Sequence, residues 1–220
     1  MSITQPARFI TLEGIEGVGK STQLKFIADY LREASVSLTV TREPGGTPIA
    51  EAIRALVLQS DFSPEVIIPE TELLLFFAAR AQHIHYVIKP ALQRGDWVLC
   101  DRFTETSYAY QGGGRGLDLA FIRSLQLWVQ QDLKVDKVLL LDAPVDIALR
   151  RMHHRKVADR IEAEKHDFFS RARASYLERA KQMPDFYQVI DASLSLKDVQ
   201  KQIKQVLDQL LALWAKSEDE

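Results

Sequence analysis

A chain of 220 residues, 46% hydrophobic and 26% charged, can bury a full core unaided, which argues for one compact domain spanning 1–220 and against overall disorder. Its net charge of −2 argues against general binding to nucleic acid or to an acidic membrane, although a local basic patch stays open. One cysteine, Cys100, can build neither a disulfide framework nor a cysteine-based zinc site, so a cytoplasmic location is expected.

Residues 1–6 show no basic end followed by an apolar stretch, so no signal peptide is expected. Residues 9–12 read as a buried strand, and 20–32 as the helix after it. A second short strand is expected over 37–41. Residues 47–58 have helical spacing through Ile49, Ile53, Leu56 and Val57. Pro69 opens one long helical stretch to about residue 94, at a first-turn position that suits proline. The apolar run at 73–79 within it is far too short to span a bilayer. A third strand covers 97–100 and is closed by Asp101. A helix over 104–111 ends at the glycine-rich break of 112–116. An amphipathic helix follows at 119–129, then strands at 137–141 and 186–190, with helices near 145–154 and 167–181 between those two. The last helix, about 196–214, carries Val199, Ile203, Val206, Leu207 and Leu210 on one face. This alternation predicts an α/β fold with a parallel sheet covered by helices on both faces.

Gly14, Ile15, Glu16, Gly17, Val18, Gly19, Lys20 and Ser21 fit the phosphate-binding pattern G-x-x-x-x-G-K-[ST] in full, between a strand and a helix as the motif requires. The glycines let backbone N–H groups turn inward around an anion, and the following helix presents its positive N-terminus to it. Lys20 supplies a point charge at the outer phosphates, and the Ser21 hydroxyl can ligate Mg²⁺. The cradle alone does not name a reaction. A GTPase would carry an Asn-Lys-x-Asp base-reading motif, and this chain contains no asparagine.

Cations gather where loops follow strands, the usual ligand edge of such a sheet. Arg42 follows the second strand and Arg102 the third, and after the fourth come Arg150, Arg151, His153, His154, Arg155, Lys156 and Arg160. Any single lid cation has an equal alternative role, favouring a helix C-terminus. As a group they suit two multiply charged phosphates, because arginine meets phosphate oxygens bidentately. A phosphate acceptor is already ionised, which explains many arginines with no evident general base. Phe76 and Arg80, four apart on one helical face, could stack on a base and bond its carbonyl, although an isolated Phe76 is more readily read as core. Ser107 and Gln111 share the same spacing. His83 and His85 do not share a face, and no metal site is expected there.

Together these pieces resemble bacterial thymidylate kinases over nearly the whole chain. The resemblance runs through the segment from Leu12 to Ser21, Thr41-Arg-Glu-Pro-Gly-Gly-Thr47, Phe76-Phe-Ala-Ala-Arg80, Asp101-Arg-Phe103, Tyr108-Ala-Tyr-Gln-Gly-Gly-Gly-Arg-Gly116 and Asp159-Arg-Ile-Glu162. It implies a P-loop fold of nucleoside monophosphate kinase type, with sheet order 2-3-1-4-5 and a lid at about 150–162. It implies transfer from ATP to dTMP with Mg²⁺, in dTTP synthesis. ATP would lie on residues 14–22, including Thr22. Phe76 would stack on thymine, Arg80 would bond its carbonyl, and Ser107 and Gln111 would lie beside the base. Arg102 and Arg42 would hold the acceptor phosphate region, Glu16 would lie near the 3′-hydroxyl, Tyr110 would crowd the 2′ position, and Pro44 would lie near the methyl. Asp101 would hold Mg²⁺ through water with Ser21; sequence pattern leaves Asp142 equally placed, and the Asp-Arg pair favours Asp101. The P-loop carries Glu16-Gly17 and no arginine, so Lys20 and Arg102 would be joined in catalysis by lid residues Arg151, Arg155 and Arg160. A homodimer through packed helices is expected, with Phe121, Ile122, Leu125, Trp128 and Val129 readable as interface or as core. Two alternatives remain: a deoxynucleoside kinase with Glu105 as base, and a nucleotide-binding regulator without turnover.

Overall fold

The structure is a computed structural model that describes residues 7–59, 62, 64–152 and 159–216. Five parallel strands form one sheet: β1 (Phe9–Glu13), β2 (Leu38–Arg42), β3 (Trp97–Asp101), β4 (Lys137–Asp142) and β5 (Tyr187–Asp191). Their order is β2-β3-β1-β4-β5, as the sequence reading expects. Leu12 of β1 pairs with Asp101 of β3 and with Leu139 of β4, which places the end of β1 at the centre of the C-terminal edge. All five strands end on a charged residue, so that edge is polar where the strands are apolar.

Side chains alternate across the sheet. Ile10 and Leu12 point to a core shared with Ile27 and Leu31 of α1 (Lys20–Glu33) and with Val199, Ile203, Val206, Leu207 and Leu210 of α9 (Leu196–Lys216). The five α9 positions are all buried, so the one-face periodicity of that helix is real. Phe9 points the other way, to Ile84, Ile88, Ala91 and Phe103. On that side lie α3 (Pro69–His83), which packs on α6 (Leu119–Gln130), and α8 (His166–Gln182). Helix α2 (Pro48–Leu58) starts on a Thr47 side-chain cap at 3.1 Å from the Ala50 N–H, with Pro48 in its first turn. Its buried positions are Ala50 and Val57, whereas Ile49 and Leu56 are exposed.

Two helical expectations change. The stretch 69–94 is not one α-helix: α3 passes into a π-helical turn at Ile84–Ile88 and then into α4 (Lys89–Gln93). Pro90 has no N–H to donate back to the preceding turn and its ring would crowd that turn, and the wider turns before it absorb the misfit. Likewise the chain does not stop at Gly112. After the short α5 (Thr104–Ser107) it winds as a π-helix through Tyr108–Gly114. Its glycines are docking positions: a Cβ on Gly114 would lie 2.5 Å from the Phe168 ring of α8. Helix α7 (Val145–Met152) occupies the start of the 145–154 expectation, and residues 153 and 154 lie outside the described residues.

Candidate active site

The loop between β1 and α1 wraps the central strand end. Gly17 has φ +78°, and a Cβ there would meet the Ala148 carbonyl oxygen of α7 at 2.0 Å. Only glycine fits a left-handed turn pressed against a neighbouring backbone. Lys20 Nζ turns back into the loop and donates to the carbonyls of Gly14 (3.0 Å) and Ile15 (2.8 Å). Burial, helped by the Arg102 charge, pulls its pKa down to about 8, against the opposing pull of Glu16, Asp101 and Glu13.

Arg102 follows β3 in a left-handed conformation, φ +68°, with its N–H on the Leu12 carbonyl at 3.0 Å. Its guanidinium donates to the Gly14 carbonyl (3.0 Å) and Glu16 Oε1 (2.6 Å) and lies 5.1 Å over the Tyr110 ring. The Tyr110 hydroxyl donates to Glu16 Oε2. Burial raises the Glu16 pKa, but Arg102, then Lys20 and the Tyr110 hydroxyl outweigh it, so the carboxyl is held below its ordinary value. Beneath this layer the buried Glu13 accepts from the Phe103 N–H (2.7 Å), Thr106 Oγ1 (2.7 Å) and the Tyr176 hydroxyl (2.8 Å). Burial pushes its pKa up to about 7. Glu13 thus pins the turn that aims Arg102 at the loop.

A cavity opens beside Glu16 and Arg102 and runs toward α3. Pro44, Phe76, Arg80, Tyr110 and Gln111 all line it, so the residues expected around a base do converge. Arg80, buried between the Phe77 and Phe103 rings, donates to Glu43 (2.7 Å), Ser107 Oγ (3.1 Å) and the Phe103 carbonyl (3.1 Å). Ser107 therefore sits behind Arg80 and is not part of the cavity wall. Glu43 is shared with His83, 2.9 Å away, whose other ring nitrogen is 2.7 Å from Thr41 Oγ1. Gln111 donates from Nε2 to Glu72 at 2.7 Å, while its Oε1 is buried with no hydrogen-bond partner among the described residues. Arg42 does not line the cavity: it is half exposed and paired with Glu51 at 3.0 Å.

A family model described as thymidylate kinase matches residues 12–203. The chain belongs to the thymidylate kinase family. It is 52% identical over 206 residues to a thymidylate kinase of Vesicomyosocius okutanii, covering 94% of this chain and 100% of that one. It is 54% identical over 212 residues to a thymidylate kinase of Chromohalobacter salexigens, covering 96% and 99%. A crystal structure of thymidylate kinase from Ehrlichia chaffeensis superposes with a TM-score of 0.72 at 32% identity, covering 91% of this chain and 98% of that one. Membership makes the chain an ATP-dependent phosphotransferase, with dTMP as acceptor.

In this member of the thymidylate kinase family Arg151 and Arg160, two of the cations expected near the transferred phosphate, are paired with other parts of the chain. Arg151 donates to the carbonyls of Ala192 (2.7 Å) and Ser193 (3.4 Å). Arg160 donates from Nε to the Val57 carbonyl (2.8 Å) and from its other end to Glu72. Arg155 lies outside the described residues, as do His153, His154 and Lys156. For a divalent ion the two candidate strand-end carboxylates differ. Both oxygens of Asp142 accept from Arg173, at 2.7 and 2.9 Å. Asp101 Oδ1 is buried without a hydrogen-bond partner among the described residues, which leaves it available to a hydrated cation. No group of three or more His, Cys, Asp or Glu gathers as a metal site among the described residues. One carboxylate and the Ser21 hydroxyl suit Mg²⁺, which keeps most of its waters and substrate oxygens.

The cavity also holds residues that sequence reading missed, notably Arg54, Glu43, Thr106, Asp159 and Ile161. Arg54 donates to the Pro44 carbonyl at 3.0 Å. Its signal was available: Arg54 shares a helical face with buried Ala50 and Val57, where a charge has no place unless it meets a partner. Glu105 lies elsewhere. It is gripped by Arg179 (2.8 Å from Oε1) and the Tyr187 hydroxyl and lines a different cavity, so it is not placed as a base toward this one.

Proposed function

We propose that this chain transfers the γ-phosphoryl group of ATP to the phosphate of dTMP, giving ADP and dTDP, with the residue roles that follow. The observation that carries this is the one cavity lined by Phe76, Arg80 and Gln111, whose Oε1 has no partner among the described residues, together with Glu16 and Arg102. Residues 14–22 cradle the ATP phosphates through backbone N–H groups and the α1 N-terminus. Lys20 exchanges the Gly14 and Ile15 carbonyls for phosphate oxygens when ATP enters. Thymine stacks on Phe76, with its methyl toward Pro44, its carbonyl on Arg80 and its ring N–H on Gln111. Arg80 reaches it from behind, fixed by Ser107, Glu43 and the Phe103 carbonyl. Tyr110, tied to Glu16, fills the space a ribose 2′-hydroxyl would need, and Glu16 meets the 3′-hydroxyl.

Arg102, joined by Arg42 once it leaves Glu51, holds the acceptor phosphate. Its ionised oxygen attacks the γ-phosphorus as the bond to the ADP oxygen breaks, and no general base is required. Ser21 and, through water, Asp101 would hold Mg²⁺, which when bound offsets charge between the β- and γ-phosphates. Arg151, Arg155 and Arg160 bring further charge to the transferring group, which requires Arg151 and Arg160 to leave their present carbonyl partners as the lid at about 150–162 closes. Two chains pair through α3 and α6: Phe121 and Trp128 of α6 and Leu74 of α3 are exposed apolar residues, whereas Ile122 is core. No helix of the described residues is long and apolar enough to cross a membrane. With the buried free Cys100, this fits work in the cytoplasm.

An ADP-release assay over a panel of acceptors tests the reading. Turnover is expected with dTMP and not with thymidine. Turnover with thymidine alone would move the chain to the deoxynucleoside kinases, and tight ATP binding with no turnover on any monophosphate would make it a regulator.

A further inference from the structure

Glu72 touches none of the cavity, yet it controls what the cavity displays. Its side chain is fully buried on α3. Oε1 accepts from Gln111 Nε2 (2.7 Å) and Arg115 Nε (3.3 Å), and Oε2 accepts from Arg115 (3.0 Å) and from Arg160. Burial raises the Glu72 pKa, but the hydrogen bonds and charge of Arg115, with Gln111 and Arg160, outweigh it and hold the group below its ordinary value. Glu72 is therefore ionised and can only accept hydrogen bonds.

That fixes the Gln111 amide. An amide has a donating and an accepting end, and a buried carboxylate tolerates only the donating end. Nε2 must face Glu72, so Oε1 must face away. Oε1 is a buried acceptor without a partner among the described residues, on a residue that lines the cavity. We infer that Glu72 is a specificity-determining positioning residue: by holding Gln111 Nε2 it presents only an acceptor to the base, and so selects pyrimidines with a ring N–H over those with a bare ring nitrogen. The inference rests on the proposed placement of the base against Gln111. Thymine and uracil carry a hydrogen on N3. Cytosine carries a lone pair there, which would meet Gln111 Oε1 acceptor to acceptor. A site built to hydrogen-bond one partner rejects the analogue that leaves its polar groups unpaired. Arg115 is the main charge that keeps Glu72 ionised, with Arg160 beside it.

Glu72→Gln removes the constraint, because a neutral amide can donate to Gln111 Oε1 and let Nε2 face the base. The readout is kcat/KM for dTMP, dUMP and dCMP with ATP. We expect dTMP and dUMP to fall together and dCMP to fall less or rise, so that the dTMP-to-dCMP ratio drops at least about tenfold. Glu72→Asp, which keeps an acceptor-only group, is expected to retain most of the ratio. A uniform loss on all three substrates in Glu72→Gln, with the ratio intact, would overturn the inference and leave Glu72 as packing. Absence of dTMP turnover in the unsubstituted chain would instead overturn the proposed function. Should neither variant fold, the side-chain amide signals of Gln111 in the unsubstituted protein decide. One amide proton shifted downfield, and unchanged on adding dTMP, supports the inference. An amide pair that moves because Nε2 swings to the base refutes it.

Discussion

Lys20, proposed to meet the outer phosphates of ATP, is buried against carbonyls of its own loop. Burial and Arg102 pull its pKa to about 8, while the triphosphate that displaces the Gly14 and Ile15 carbonyls favours its charged form. The sign follows from which state binds protons better. The ATP-bound chain holds the Lys20 proton to higher pH than the free chain, so ATP affinity is flat below about pH 7.5 and falls as pH rises through 8. Calorimetry at pH 8.5 in buffers of different ionisation heat is expected to show proton uptake approaching one per ATP, and Lys20→Met is expected to abolish both the uptake and turnover while leaving dTMP binding largely intact. No uptake at pH 8.5 would sink this account. Residues of this kind are legible in sequence because short spacings carry them: Lys20 within a contiguous loop, and Phe76 with Arg80 one helical turn apart. Glu13 and Glu72 are not legible in that way. Glu72 meets Gln111, Arg115 and Arg160 across gaps of 39, 43 and 88 positions, and only the folded chain closes such distances.

At the scale of elements, the P-loop depends on how closely α7 approaches it. Gly17→Ala forces a Cβ to within 2.0 Å of the Ala148 carbonyl and imposes φ +78° on an alanine, so either the loop or α7 must shift. The cavity proposed for dTMP is lined from α3, the 102–111 segment, residues 43–58 and residues 159 and 161; the loop contributes Glu16 to it but not Gly17. ATP binding is therefore expected to weaken at least about tenfold, the more than ~1 kcal/mol expected of a strained φ, while dTMP affinity stays within a few-fold. Separate titrations with each nucleotide check this, and equal weakening of both would contradict it. Strand and helix identities were readable from alternation and helical spacing, down to the buried stripe of α9. The π segments were not. Periodicity does not distinguish a π turn, and glycines 112–114 look like a stop until Phe168 and α8 are seen pressed against them.

On the scale of the whole molecule, the sequence left Phe121, Ile122, Leu125, Trp128 and Val129 divided between core and interface. Folding divides them by rotation about one helix. Ile122 is 0% exposed, while Trp128 is 77% and Phe121 49% exposed, two turns apart on the outer face of α6. Packing of α6 on α3 adds Leu74, 50% exposed, to the same pair of helices. Large apolar side chains at this exposure are uncommon on a face that stays in water, and burying each one against a second copy would contribute roughly 1.5–3 kcal/mol. Phe121→Asp with Trp128→Asp is therefore expected to raise the dimer dissociation constant by at least about a hundredfold. Sedimentation velocity at tens of micromolar should show a pair for the unsubstituted chain and a single chain for the variant. None of the residues lining the cavity proposed for dTMP lies on α6, so the separated chain should still bind dTMP within a few-fold. A single-chain species in the unsubstituted protein would refute the proposed dimer, and an unchanged pair in the variant would place its contact elsewhere.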